Sequence, residues 1–193
     1  MMVAIEVRTP AVRAVSAPRA SERRLIKEAQ GGSARALEEL FRRYWPRAHR
    51  AAYLIVHDAA AAEDIAQEAF LAAVRTLERF DRRRPFGPWL HRIVVNRAID
   101  WARARALRRE IGDEPLAAWA DPTAGAEPAG SHELTAALRT LSPDRRAVVV
   151  LRYLLDYTPG EIARLLDLPR GTVNSRLRRG LDTLGAALGE ERP

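Results

Sequence analysis

Asn174, Ser175, Arg176, Arg178 and Arg179 crowd one short segment near the C-terminus, with Thr172 just ahead of them. These side chains hydrogen-bond base edges and phosphates. In the major groove Arg forks onto guanine and Asn onto adenine, and a Thr beside first-turn N–H groups suits a phosphate. A second constellation lies upstream. Arg82, Arg83 and Arg84 stand in a row, followed by Phe86 and then by Arg92, Asn96, Asp100 and Arg103 at helical spacing. In the stripe Arg92, Asn96, Asp100 and Arg103, cations beside hydrogen-bonding groups suit an unstacked single strand. A third set, Asp64, Gln67 and Leu71 at i, i+3 and i+7 with Glu68 beside them, places a Leu among polar groups on one helix face. That face reads either as a protein-docking patch or as a solvated surface with one stray Leu.

Groups able to catalyse are sparse. The chain has no Cys, which excludes disulfides, thiolate metal sites and thiol catalysis. His49, His57, His91 and His132 show no metal-ligand spacing, so neither a metal nor another cofactor is expected. Glu63, Asp64 and Glu68 could serve a metal-dependent nuclease, but they sit on one helix without a nearby His or matching carboxylates elsewhere. The expectation is a binding protein, not an enzyme, with no small-molecule substrate.

The elements that position these residues read as helices. A chain of 193 residues, 47% hydrophobic and 30% charged with 11 Gly, fits an all-α protein of two small domains. Residues 1–20 lack periodicity and are expected to be a disordered arm. Residues 21–109 hold four expected helices, at about 21–31 with Ser21 as cap, 33–56 with Pro46 breaking or kinking it, 62–80, and 88–109. Leu37, Leu40, Phe41 and Tyr44 form the core face of the second, and Ala66, Ala69, Phe70, Ala73, Val74, Leu77 and Phe80 that of the third. A Pro- and Gly-bearing loop spans 81–88. Residues 110–132 are expected to be a flexible acidic linker. Residues 133–188 then carry helices at about 133–141, 143–155, 158–166 and 170–188.

Charge is polarised. The net charge is +7 and the pI about 10.8, which favours a polyanionic partner. Lys27 is the only Lys, so codon bias toward Arg inflates the total and its distribution is more informative. Residues 79–109 hold ten Arg against Asp81 and Asp100, whereas residues 110–133 hold six acids and no Lys or Arg. No apolar run approaches the roughly 20 residues of a membrane span, and no signal-peptide core is visible, so a soluble cytoplasmic protein is expected.

Residues 159–179 read as helix, tight turn, helix. Ile162, Ala163 and Leu166 form the buried side of the first helix. Leu168 plugs the turn, and Val173 and Leu177 anchor the second helix, leaving the Asn, Ser and Arg set outward.

Three blocks together resemble the extracytoplasmic-function family of sigma factors, over about residues 22–188. They are AEDIAQEAFLAAVRTLERF (62–80), PFGPWLHRIVVNRAIDWARAR (85–105) and LSPDRRAVVVLRYLLDYTPGEIARLLDLPRGTVNSRLRRGLDTL (141–184). The resemblance implies a region 2-like domain at 21–109 and a region 4-like helix-turn-helix domain at 133–188. It implies that Asp64, Gln67, Glu68 and Leu71 dock on the clamp of the largest subunit of RNA polymerase, and that the flap of the second-largest subunit is also contacted. It assigns Arg82, Arg83, Arg84, Phe86, Arg92, Asn96, Asp100 and Arg103 to the single-stranded −10 element, with loop 81–88 as a flipped-base pocket. Thr172, Asn174, Ser175, Arg176, Arg178 and Arg179 go to duplex −35 DNA. The acidic linker would thread the polymerase cleft or act as a plain tether. An anti-sigma factor, often membrane-tethered in this family, is an implied partner.

Trp89 and Trp101 either stack on DNA or pack in the core. Three positions depart from the family pattern: Asn174, where a basic residue is common; Asp167, where the turn usually has Gly; and Gly180-Leu181, in place of Ala-Arg, expected to add flexibility. A stand-alone helix-turn-helix regulator remains the alternative, although it leaves residues 62–105 without a purpose.

Overall fold

The computed structural model describes residues 19–111 and 131–189. Nearly all of the expected arm and most of the expected acidic linker therefore lie outside the described residues. Among those described, every regular element is helical: α1 (Arg19–Gln30), α2 (Ala34–Val56), α3 (Ala59–Thr76), a 3₁₀ turn (Leu77–Arg79), α4 (Phe86–Glu110), α5 (Ser131–Arg139), α6 (Pro143–Tyr153), α7 (Pro159–Leu166) and α8 (Arg170–Ala187).

Local signals explain most boundaries. Ser21 does not cap α1, which already begins at Arg19. Gly32 takes a φ of 87°, ending the α1 segment. Ser33 then caps α2, its hydroxyl accepting from the Ala36 N–H at 3.3 Å. Pro46 does not break α2. Ala48, Ala51, Ala52 and Ile55 beyond it are fully buried, and that packing outweighs a Pro cost of about 3 kcal/mol. Helix α3 begins three residues before its expected start because Asp58, not a hydrophobic period, starts it. One Asp58 oxygen accepts from the Ala61 N–H at 3.0 Å, and the other accepts from Arg105 of α4 at 2.9 Å. Val74 and Phe41 were both expected in the core and are instead 46% and 42% exposed. Helix α4 starts at Phe86, whose N–H is taken by Glu22 of α1 at 2.8 Å. Pro88 falls in its first turn, where a missing N–H matters little.

In the second half, Thr158 and Glu161 form a reciprocal capping box on α7. Asp167 adopts the left-handed bend at φ 55° and ψ 49°, as the turn requires of this non-Gly residue. Ile162 and Leu165 are the buried pair of α7, while Ala163 and Leu166 are half-buried. Leu165 thus takes the place expected of Leu166. Gly180 adds close packing, not flexibility. It is buried within α8, and a Cβ there would approach the Val149 side chain to 3.1 Å.

The two helical units lie against one another. Helix α6 packs on α2 and α4, and α7 packs on α4. Arg47 of α2 donates to the Leu154 carbonyl at 2.7 Å and to Asp156 at 2.9 Å. His91 of α4 meets the Tyr157 hydroxyl at 2.7 Å. Arg146 of α6 is 8% exposed and donates to four carbonyls, those of Leu138, Arg139, Leu141 and Ile55. Three of these oxygens lie at the end of α5 and one in the last turn of α2, where helical carbonyls lack intrahelical partners. A cation there also opposes the negative end of each helix dipole. Burial, with Arg139 nearby, pushes the Arg146 pKa down to about 10, so the group stays charged at neutral pH.

Two predictions follow from this seam. Arg146→Ala strands up to four buried acceptors and should lower stability by about 3 kcal/mol. The urea unfolding midpoint reads the change, and Arg146→Lys should recover little because an ammonium cannot fork onto the same carbonyls. The second concerns pH. Burial, then the Arg47 cation, hold the His91 pKa down to about 4. In an open or unfolded chain it returns to about 6.5. That form takes up a proton first as pH falls, so stability from neutral His91 is complete above about pH 6.5 and is lost between about 6.5 and 4. Urea midpoints should fall between about pH 7.5 and about pH 5, and His91→Phe should lack that part of the fall.

Candidate nucleic-acid interface

Helix α4 separates its two faces cleanly. Leu90, Val94 and Ala98 are fully buried against the bundle. Arg92, Asn96, Asp100 and Arg103 form one exposed stripe on the opposite side. At the head of the helix, an Asp81 carboxylate oxygen accepts from the Arg83 N–H at 2.9 Å, and the Asp81 carbonyl accepts from the Arg84 N–H at 2.9 Å. This turn leaves Arg82, Arg83 and Arg84 exposed.

Phe86, assigned to the same strand by sequence, sits beneath that surface. It is 3% exposed, and its ring lies 5.1 Å from Tyr44, 5.9 Å from Phe80 and 5.4 Å from Trp89. Its ring packs into the floor beneath the loop. Trp89 packs 4.5 Å from Phe80, the packing alternative of the two weighed for it. Trp101 is half-buried beneath the Arg105 guanidinium at 5.0 Å.

The second surface is α8. Val173 is fully buried and Leu177 half-buried, so Asn174, Ser175, Arg178 and Arg179 face outward. Thr172 is half-buried, and the Ser175 hydroxyl donates back to its carbonyl at 2.9 Å. Arg176 does not face open solvent. It pairs with Asp144 of α6 at 3.0 Å.

The third surface is on α3. Asp64, Gln67, Glu68 and Leu71 are all exposed, Leu71 at 55%. Gln67 donates to Glu63 at 3.1 Å, and Glu68 pairs with Arg97 of α4. Exposed Val74 lies one turn beyond Leu71. Phe41 of α2 stacks on Trp45 at 4.7 Å and meets Phe70 at 4.9 Å. The apolar part of this surface is therefore wider than Leu71 alone. Phe41 and Val74 escaped sequence reasoning because each also fits an inward helical stripe.

The first two surfaces meet. Arg103 forks onto Asp144 at 2.6 and 3.2 Å, and the same carboxylate holds Arg176. Asn96, Asp100, Leu166 and Leu168 line the small cleft around this triad. Asp144 carried no role in the sequence reading. Only the packing of α6 between α4 and α8 reveals it.

Among the described residues, no three His, Cys, Asp or Glu side chains converge as a metal site, and no helix is long and apolar enough to cross a membrane.

Comparison with known proteins places both units. Residues 40–108 match the family described as Sigma-70 region 2, and residues 131–184 match Sigma-70, region 4. The chain is 33% identical to the ECF RNA polymerase sigma factor SigW of Bacillus subtilis, over 82% of this chain and 92% of that protein. It is 34% identical to the ECF RNA polymerase sigma factor SigM of Mycobacterium tuberculosis, over 88% and 85% respectively. Among solved structures, CnrH in complex with the cytosolic domain of CnrY superposes with a TM-score of 0.67 at 28% identity, covering 89% of this chain and 99% of CnrH. The sigma factor RpoE of Bartonella quintana, solved with the anti-sigma factor NepR, shares the fold at a TM-score of 0.65 and 22% identity, covering 80% and 98%. Two sigma regions in order, and relatives aligned over most of both chains, establish that this chain belongs to the extracytoplasmic-function family of RNA polymerase sigma factors.

Proposed function

We propose that this sigma factor docks on core RNA polymerase through the α3 face, centred on Asp64, Gln67, Glu68 and Leu71 and widened by Phe41 and Val74. The stripe Arg92–Asn96–Asp100–Arg103 and the exposed Arg82–Arg84 loop then take the single-stranded −10 element. Helix α8 reads duplex −35 DNA with Asn174, Ser175, Arg176, Arg178 and Arg179, while Thr172 serves a phosphate. The observation that carries this reading is the exposed Asn96 stripe beside three exposed Arg. It supplies cations for a backbone and amide donors and acceptors for unpaired bases. Capturing melted bases favours melting without chemistry by this chain, and RNA synthesis belongs to the polymerase.

DNA binding requires the two halves to part. One carboxylate, Asp144, occupies both Arg103 and Arg176, so the described arrangement keeps the two DNA surfaces turned toward each other. Arg103 is half-exposed and Asp144 and Arg176 about one-quarter exposed, so each pair contributes under about 1 kcal/mol. A run of phosphates can displace such a clasp. An anti-sigma factor would work against that opening. CnrH, described in complex with the cytosolic domain of CnrY, matches 89% of this chain, which supports a protein partner for it. A cytoplasmic location follows from work at the polymerase, and sequestration at a membrane would depend on that partner.

Run-off transcription with core polymerase tests the reading. The chain should produce discrete starts that share sequence near −10 and −35. Asn96→Ala should reduce open complexes roughly tenfold, the weight of one good base contact, with core affinity unchanged. Equal loss of both would remove Asn96 from DNA. Tight operator binding by the isolated chain, with no polymerase-dependent starts, would favour the stand-alone regulator. A separate prediction concerns the clasp. Asp144→Asn should raise affinity of the free chain for a −35 duplex several-fold and expand the molecule in small-angle scattering. Glu133→Gln removes an equal charge from an exposed site and should do neither.

A further inference from the structure

Helix α1 lies outside the Sigma-70 region 2 match, which begins at residue 40, and no role was assigned to it. Its position relative to the −10 loop gives it one. Gln30 donates both side-chain hydrogens into the loop's base, to the Leu77 and Phe80 carbonyls at 2.9 Å each. Glu22, two turns earlier, holds the first N–H of α4. Helix α1 is thus pinned alongside the loop at both ends.

Between them lies an open cleft of about 760 Å³, lined by Arg23, Lys27 and Gln30 from one side and by Phe80, Arg82 and Arg83 from the other. Arg23, Lys27 and Gln30 fall at i, i+4 and i+7, one stripe of the helix. The charge in the cleft is only partly neutralised, with Arg23, Lys27, Arg82 and Arg83 facing Glu78 and Asp81. Arg24 is held by Glu28 at 2.7 Å. Asp81, one of two acids in the lining, accepts from a loop N–H. Arg23, Lys27, Arg82 and Arg83 form no ion pair with any described residue. Arg42, Arg47, Arg97 and Arg105 on the same unit are paired, and Arg35, Arg75 and Arg79 are not paired with any described residue, so what sets the four apart is that they share one concavity. Four unpaired cations around one concavity repel one another, and a polyanion laid between them removes that repulsion.

We propose that α1 forms the second wall of the −10 channel, with Arg23 and Lys27 binding phosphates of the single strand after it passes the Arg82–Arg83 loop, and with Gln30 and Glu22 as positioning residues. The proposal rests on the sigma-factor reading above and adds a backbone-binding site to it. Such a site holds the strand without reading it. Guanidinium and ammonium groups on phosphates give affinity that is indifferent to base identity and sensitive to salt.

The test uses the holoenzyme and a fluorescent single-stranded oligonucleotide carrying the −10 region of the non-template strand. Anisotropy titrations are run across a salt series. In the double variant Arg23→Ala, Lys27→Ala, both positions are exposed and Ala favours helix, so the fold should persist, as far-UV circular dichroism would verify. Expected is roughly tenfold weaker binding at low salt, and a log–log salt slope shallower by about 1.4, or about 0.7 for each of two phosphates. The loss should be equal for a scrambled oligonucleotide. Asn96→Ala should do the reverse, reducing the preference for the −10 sequence with the slope unchanged. Unchanged affinity and slope in the double variant, while wild type binds, would overturn the α1 assignment alone. Absence of strand binding by wild-type holoenzyme would sink the −10 reading and this proposal with it. Weaker binding to core polymerase, with strand affinity of the assembled holoenzyme intact, would move the pair to a protein contact and also overturn it.

Discussion

One buried guanidinium holds the two units in register. Arg146 reaches the end of α5 and the end of α2 at once, and its four bonds end on carbonyls at or just past helix ends, where intrahelical partners run out. Neither helix end supplies a capping side chain for those oxygens. Without the cation, α5 would lose its anchor on α6, and α2 would lose its tie to the second unit. The interaction is buried and fully bonded, so it is the expensive one to break. Its single bond across the seam, to Ile55, is also what an opened chain must exchange for water.

The rest of the seam is graded around that centre. His91 and Tyr157 sit deep, with the imidazole kept neutral by burial. Arg47 is half-exposed and ties down the turn that carries Asp156. The Arg47–Asp156 pair and the Arg103–Asp144–Arg176 triad are the solvent-reached part of the seam. Such a gradient lets the outer contacts exchange first. Arg103 and Arg176 are among these outer charges, so under the proposed function they can exchange a carboxylate for phosphates without crossing a dry interface.

Much of this was legible from residue order, for definable reasons. The helix-turn-helix and the α4 stripe are local, and local spacing fixes a helix face. Three kinds of feature were not local. Asp58 started α3 inside a run of alanines that has no hydrophobic period. Phe41 and Val74 each fit two sides of a helix, and Phe86 falls in an expected loop, so only its neighbours, Phe80 and Trp89, show that it is buried. Gly180 read as a flexible substitution until the approach of Val149 showed that it sits where α8 crosses α6 closely. Arg146 and Asp144 stand two residues apart in an ordinary Pro-Asp-Arg-Arg helix start. Their roles depend on partners 91 residues away in one case and 41 in the other. No periodicity argument reaches that far.

The basic charge of the chain acquires meaning in the same way. A net of +7, almost all of it Arg, is compatible with codon bias alone. The structure divides those cations by what surrounds them. Arg42, Arg97 and Arg105 are matched to carboxylates within the first unit, and Arg146 to carbonyls, so they contribute to folding. Arg23, Lys27, Arg82 and Arg83 gather around one cleft without an ion pair, outnumbering its two acids, Glu78 and Asp81. A folded chain gains nothing from crowding like charges, and every such pair opposes the compact state. Cations kept unpaired around one concavity are therefore better explained by a ligand than by composition, and a single strand of DNA is the polyanion proposed above for the neighbouring Asn96 stripe.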